Sequence, residues 1–129
     1  MLQRQLNYEA EANICVVDDD RSVLLSLKEL LASDGFETEA VDDPKEFLYY
    51  ARSHPVRLAI LDLWMPELDG LELQGQLLAV SPEIRVIIIT GRPEAATQAA
   101  ALGAGAFAFL PKPIEDEAFL HTVRRALDE

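Results

Sequence analysis

Leu58-Ala59-Ile60-Leu61-Asp62-Leu63-Trp64-Met65-Pro66-Glu67-Leu68-Asp69-Gly70 is the stretch that decides how this chain folds. Residues 58–61 form a short apolar run bounded by breakers, which reads as a strand covered on both faces. Pro66 stops any continuation, and Asp69-Gly70-Leu71-Glu72 has the spacing of a capping box that opens a helix to about Val80. The stretch is therefore a strand, a loop and a helix, the repeating piece of a parallel sheet. Asp62 stands at the carboxyl tip of the strand, where a carboxylate is costly unless something uses it.

The same piece recurs on either side. Residues 13–17 read as a strand, followed by a helix over 22–33 with Val23, Leu24, Leu27, Leu30 and Leu31 at helical spacing. Asp34-Gly35 closes that helix, with Gly35 at a left-handed cap. Residues 37–41 alternate polar and apolar, as in a strand with one exposed face. Asp43-Pro44-Lys45-Glu46 reads as another capping box, opening a helix to about Ser53. Residues 84–89 are the most β-branched run and read as a central strand. Residues 93–102 are alanine-rich and helical, with a shallow apolar face that should pack weakly; Gly103 and Gly105 end them. A fifth strand over 106–110 and a helix over 114–127, with Phe119, Leu120, Val123 and Leu127 on one face, complete the chain.

Five strand–helix units with short links make an α/β fold: a doubly wound, five-stranded parallel sheet. Ligands in such sheets bind beyond the carboxyl ends of the strands. Half of the 129 residues are hydrophobic (50%), enough for one domain over residues 12–129, with residues 1–11 expected to be a flexible extension. The net charge of -12 argues against wrapping a nucleic-acid backbone. No apolar stretch approaches the ~20 residues of a membrane span. The one cysteine, Cys15, lies inside an apolar run, reads as a core residue and fits a reducing cytoplasm.

Four strand ends carry polar groups: Asp18, Asp19 and Asp20; Asp62; Thr90; and Lys112. One Asp would suffice to cap a helix. Further acids facing Asp62 in a partly desolvated crevice would repel one another, and a hard divalent cation removes that conflict. Magnesium suits the oxygen-only set, and manganese can substitute. Thr90 taken alone is an ordinary strand residue; its place before Gly91 is what singles it out. Lys112 is held between Pro111 and Pro113, a fixed positive charge able to face an anion. The Lys112-Pro113 bond is of the kind that tight turns allow to be cis.

These blocks together resemble the signatures of response-regulator receiver domains: Val17-Asp18-Asp19-Asp20, the stretch from Leu61 to Gly70, Ile89-Thr90-Gly91 and Phe109-Leu110-Pro111-Lys112-Pro113. The resemblance implies a flavodoxin-like (βα)5 fold with strand order 2-1-3-4-5. It implies that Asp62 accepts a phosphoryl group from a phosphohistidine on a sensor histidine kinase or phosphotransfer protein. Asp19, Asp62 and the backbone carbonyl of Trp64 would ligate magnesium, with Asp18 acting through water. Thr90 would bond a phosphoryl oxygen, Lys112 would pair with the phosphoryl group, and Phe109 would be the switch aromatic that follows Thr90. The fourth helix, fifth strand and fifth helix would present Glu94, Gln98, Ala108, Leu110, His121, Thr122 and Arg125 to an output domain or a second copy. His121 itself reads as a surface residue.

Trp64 is bulky for its place beside Asp62, which leads us to expect shielding from water and slow phosphoryl loss. Arg92 either touches the site or faces solvent. Asp128-Glu129 oppose the dipole of the last helix, an expectation that the natural protein continues. Three rivals remain at this level. A haloacid-dehalogenase-type phosphatase would need a second Asp two positions after the first, where Trp64 stands. A degenerate receiver would serve as an interaction module without phosphorylation. A flavin-binding protein would need a Ser/Thr-rich phosphate loop after the first strand, and none is found.

Overall fold

Alternate residues of every interior strand face opposite helical layers. The computed structural model describes residues 14–128, and the expected extension over residues 1–11 lies outside the described residues. Strands β1 (Ile14–Val17), β2 (Thr38–Val41), β3 (Leu58–Asp62), β4 (Arg85–Thr90) and β5 (Ala108–Pro111) are interleaved with helices α1 (Arg21–Ser33), α2 (Pro44–Ser53), α3 (Gly70–Val80), α4 (Ala95–Gly103) and α5 (Asp116–Asp128). The strands are all parallel, in the order β2-β1-β3-β4-β5. Both the architecture and the order expected from the resemblance are observed. Ile14, Val16, Leu58, Ile60, Ile87 and Ile89 pack with Leu24, Leu27 and Leu31 of α1 and with Phe119 and Val123 of α5. Cys15, Val17, Ala59, Leu61, Val86 and Ile88 pack on the other side with Phe47 of α2, Leu73 and Leu77 of α3 and Ala101 of α4. Continuous apolar runs are required because both faces are covered. Each large side chain taken from water contributes about 1.5–3 kcal/mol.

The helix ends explain most boundaries. Gly35, at φ +86, lets the N–H groups of Gly35 and Phe36 turn back to Ala32 O and Leu31 O, closing α1 as expected. Asp69 accepts the N–H of Glu72 while Glu72 accepts that of Asp69, so this capping box forms. Replacing Asp69 with Ala is expected to cost about 1 kcal/mol, read as a lower urea midpoint at unchanged slope. At Asp43 the expected box is a simpler cap: the carboxylate takes the N–H of Lys45, one residue short of Glu46.

β5 and α5 each begin two residues later than expected, because neighbouring groups capture their first backbone donors. The N–H of Ala106 returns to Ala101 O at the end of α4, which delays β5 to Ala108. The carboxylate of Glu115 accepts from Glu117 N and Ala118 N, which delays α5 to Asp116. α4 begins at Ala95 without a side-chain cap and buries only Ala101, the weak packing its composition foretold. In β2, an edge strand, Thr38 is buried and the next three residues are half-buried, so the expected alternation does not appear. Among the described residues, no helix is long and apolar enough to cross a membrane.

Candidate functional site

Strand register assembles the site. Val17 lies opposite Leu61, so Asp18 and Asp62 emerge side by side at the carboxyl edge. Thr90 lies opposite Pro111, and the N–H of Lys112 donates to Thr90 O at 2.7 Å. Lys112 Nζ then stands 2.9 Å from Asp18 Oδ2 and 3.1 Å from Asp62 Oδ1. The residues the sequence singled out are thus brought together from four strand ends.

The three consecutive acids divide their work. Asp20 caps α1, accepting from Ser22 N at 2.9 Å, Ser22 Oγ at 2.7 Å and Val23 N at 3.4 Å. The Ser22 hydroxyl, then the two backbone donors, hold its carboxyl below the ordinary range. Asp18 is fully buried, and its Oδ1 accepts the N–H of Asp20 at 2.9 Å while Oδ2 faces Lys112. Asp19 is exposed, and Asp18, Asp19 and Asp62 present carboxylate oxygens within 4.8 Å of one another.

Asp62 is 5% exposed. Burial first, then the charge of Asp18, push its carboxyl above the ordinary value; Lys112 opposes the rise and Asp19 adds slightly to it. Burial alone would lower Lys112, but its bonds to Asp18 and Asp62 outweigh burial and raise it. The ammonium is therefore locked in its charged form between two acids. The donor set is all oxygen, one member open to solvent, and burial together with Asp18 makes the ionised Asp62 costly, a cost that further positive charge would lower. Those are the properties of a cradle for a hard divalent cation.

Thr90 is fully buried, and its Oγ1 accepts the N–H of Arg92 at 3.0 Å. Ile88 is opposite Phe109 in the register, and Thr90 lies two residues further on, so Thr90 and Phe109 share one face of the sheet. Phe109 is half-buried against the cluster that contains Ile88, Met65 and Leu77. Trp64, in the loop leaving β3, is 40% exposed. Arg92 faces solvent, one of its two expected placements, with its guanidinium carbon 5.0 Å from the centroid of the Trp64 ring. His121 is exposed on α5, and Ala108 and Leu110 are half-buried against the α5 side of the core. Cys15 is buried, and burial, followed by the charge of Glu39, pushes its thiol up to about 12, which leaves it inert.

Gly70 carries a duty that the sequence reading missed. A Cβ here would lie 2.6 Å from Asp62 O and 2.9 Å from Leu63 Cα. The N–H of Gly70 also donates to Leu63 O at 2.8 Å. The first turn of α3 thus rests directly on the backbone that carries Asp62. The available signal was a glycine at the first helical position, where alanine is the better helix former. Gly70→Ala is expected to cost about 2 kcal/mol in chemical denaturation, since backbone must shift to admit the methyl group. Gln74 was also passed over. It is fully buried on α3, and its Nε2 donates to Ala101 O at 3.1 Å, tying α3 to α4.

The family described as the response regulator receiver domain matches residues 14–124. Response regulator MprA of Mycolicibacterium vanbaalenii is 38% identical over 114 residues, which are 88% of this chain and 49% of that protein. The chain thus spans about half the length of the curated relatives it matches. A crystal structure of a CheY-like response regulator receiver domain protein from Methanospirillum hungatei JF-1 superposes with a TM-score of 0.86 at 30% identity, covering 91% of this chain and 94% of that one. The solution structure of the beryllofluoride-activated NtrC4 receiver domain dimer superposes with a TM-score of 0.85 at 32% identity, covering 89% and 95%. With the sheet order, the acidic crevice and its lysine in place, these matches establish that the chain belongs to the response regulator receiver domain family of two-component signalling.

Proposed function

We propose that this chain is a phosphorylation-controlled switch in which Asp62 accepts a phosphoryl group from a phosphohistidine on a sensor histidine kinase or phosphotransfer protein. The observation that carries the reading is the single Lys112 ammonium, 2.9 Å from buried Asp18 and 3.1 Å from Asp62. A carboxylate attacking a phosphoryl group meets an anion, so positive charge must already be in place.

In transfer, an Asp62 carboxylate oxygen forms the new O–P bond as the N–P bond of the phosphohistidine breaks, and the imidazole leaves carrying the electron pair. Asp19, Asp62 and the Trp64 backbone carbonyl would hold a magnesium ion directly, with Asp18 contributing through water. Bound there, the ion supplies charge that offsets the repulsion and orients the incoming oxygens. Lys112 pairs with the transferred group, and Asp18 keeps Lys112 charged and aimed. The Thr90 hydroxyl, whose lone pair already holds Arg92 N–H, is free to donate its proton to a phosphoryl oxygen. Its inward shift would vacate space on the face it shares with Phe109, and a packed core converts such a shift into a discrete surface rearrangement.

The surface so altered comprises α4, β5 and α5. The loose packing of α4 supports it as the moving part, and its occupant would be an output domain or a second copy. The reaction places the chain in the cytoplasm, and the domain itself touches neither nucleic acid nor membrane. Incubation with acetyl phosphate and magnesium, followed by intact mass, is expected to show one added phosphoryl group, and none when a chelator replaces magnesium. An unchanged mass, with no uptake of magnesium, would overturn the reading in favour of a receiver that acts by contact alone.

A further inference from the structure

We propose that residues 6–12 of this chain dock along a groove at the amino edge of the sheet, held there by Arg57 and Arg85, at the end of the domain away from Asp62. The groove has a volume of roughly 1230 Å³, with Val56, Ile84, Ala106 and Phe107 along its floor and the two arginines on its rim. Arg57 directly precedes β3 and Arg85 opens β4, and the N–H of Arg85 donates to Arg57 O at 2.9 Å, so the two stand side by side. Among the described residues neither forms an ion pair. Arg57 donates to Leu127 O at the end of α5, and the Arg85 guanidinium carbon lies 5.4 Å from the centroid of the Phe107 ring. A guanidinium carries five N–H donors, so both arginines keep donors to spare. Arg125 stands over the same ring at 5.6 Å, and Glu83 is the one acid among the described residues that line the groove. In a chain with 23 acids and 11 basic residues, this is a place where positive charge is left uncompensated.

Position, pattern and charge name the occupant. Ile14, the first residue of β1, pairs with Leu58, and Leu58 pairs with Arg85. The residues that lead into β1 therefore enter the fold at the same edge as the two arginines. Strands lie about 4.8 Å apart, which puts Arg57 about one strand and Arg85 about two strands from that entry point. Three residues of extended chain span about 10 Å, so Glu11 is within reach of Arg57 and Glu9 within reach of Arg85. Leu6, Tyr8, Ala10 and Ala12 alternate with Asn7, Glu9 and Glu11, the pattern of an extended segment with one apolar side. Laid in the groove, that side meets Phe107 and its neighbours while the acids meet the guanidiniums. A guanidinium offers a fork of donors that a carboxylate matches in pairs, and it sheds water more readily than an ammonium does. The groove is bordered by the residues that lead into β3, β4 and β5 and by the end of α5, so the docked segment ties these elements together.

The test is a charge-exchange cycle on the full chain. Glu9→Arg with Glu11→Arg is expected to move the NMR signals of the Ala106 and Phe107 amides and of the Arg57 and Arg85 Nε–H groups. The amides of Thr90 and Lys112, at the opposite edge of the sheet, should stay in place. Arg57→Glu with Arg85→Glu should lower Tm, in part through the lost bond to Leu127 O. Combining all four exchanges should recover part of that loss, and the coupling should fade as salt is raised. Absence of coupling, or signals that move only beside the substituted positions, would overturn the proposal. Coupling that grows with protein concentration would overturn it as well, because a second copy would then be supplying the acids. None of these readouts involves phosphorylation of Asp62, which stands or falls separately.

Discussion

Asp62→Asn is expected to abolish uptake of a phosphoryl group while raising the melting temperature of the fold. The first effect follows from chemistry, because an amide oxygen in place of the carboxylate is no nucleophile toward phosphorus. The second follows from the site's electrostatics. Burial and the neighbouring Asp18 raise the Asp62 carboxyl above its ordinary value, so the folded state resists its ionisation. A carboxyl raised on folding favours the fold while it is protonated. That advantage is lost as pH rises through the interval between the unfolded and folded values, so at neutral pH the full cost is present. The amide is neutral throughout and bears none of it. Lys112 meanwhile keeps its bond to Asp18. The stability gain should therefore be largest at neutral pH and fade toward about pH 4, where the unfolded carboxyl also protonates. Thermal melts across that interval, in chelator, are the measurement. Added magnesium should then stabilise wild type more than the variant, since ligand binding to the folded state raises its stability by mass action. A variant that still gained a phosphoryl group would remove Asp62 from its role.

Lys112→Ala is expected to lower stability by about 2–3 kcal/mol in the absence of divalent cation, and magnesium should restore much of it. Removing one partner of a buried ion pair leaves an uncompensated charge, typically at about 3–5 kcal/mol; the crevice is partly open to water, which reduces this. Lys112 is 22% exposed along its side chain, and the two carboxylates it leaves behind are nearly or fully buried. A lysine raised on folding contributes fully below its unfolded value, near pH 10.4, and its share is lost only as pH rises through the still higher folded value. Wild type should therefore show no effect from Lys112 near neutrality. The variant should gain stability on acidification, as one of the crowded carboxyls takes a proton. Urea denaturation with chelator and with magnesium separates these effects. An unchanged midpoint in chelator would mean that the ammonium does not balance the two acids.

The layers of the fold were legible in the sequence because burial on both faces imposes continuous apolar runs, and four of them were readable. The helices that bear Leu24, Leu27 and Leu31, or Phe119, Leu120 and Val123, announced their inward stripe through their spacing. The boundaries of β5 and α5 were not legible. They turn on whether Ala106 N bonds back into α4, and on whether Glu115 caps the helix, competitions between hydrogen bonds of nearly equal local strength. The double role of Gly70 was hidden for a similar reason. As a turn residue it looked ordinary, and only the packed structure brings a backbone to within 2.6 Å of the place its Cβ would occupy.

Composition, periodicity and the polar residues at strand ends determined by themselves a parallel α/β sheet and a short roster of groups at its carboxyl edge. Side-chain chemistry and local patterning are properties of the chain, so they survive without coordinates. The tertiary structure alone decided how Asp18, Asp19 and Asp20 differ. Three consecutive identical side chains carry identical propensities. It is Lys112, 94 residues away, that claims Asp18, the hydroxyl of Ser22 that claims Asp20, and solvent that is left with Asp19. It alone also set Arg92 on the face of Trp64, because contact between two loops depends on the strands that hold them side by side.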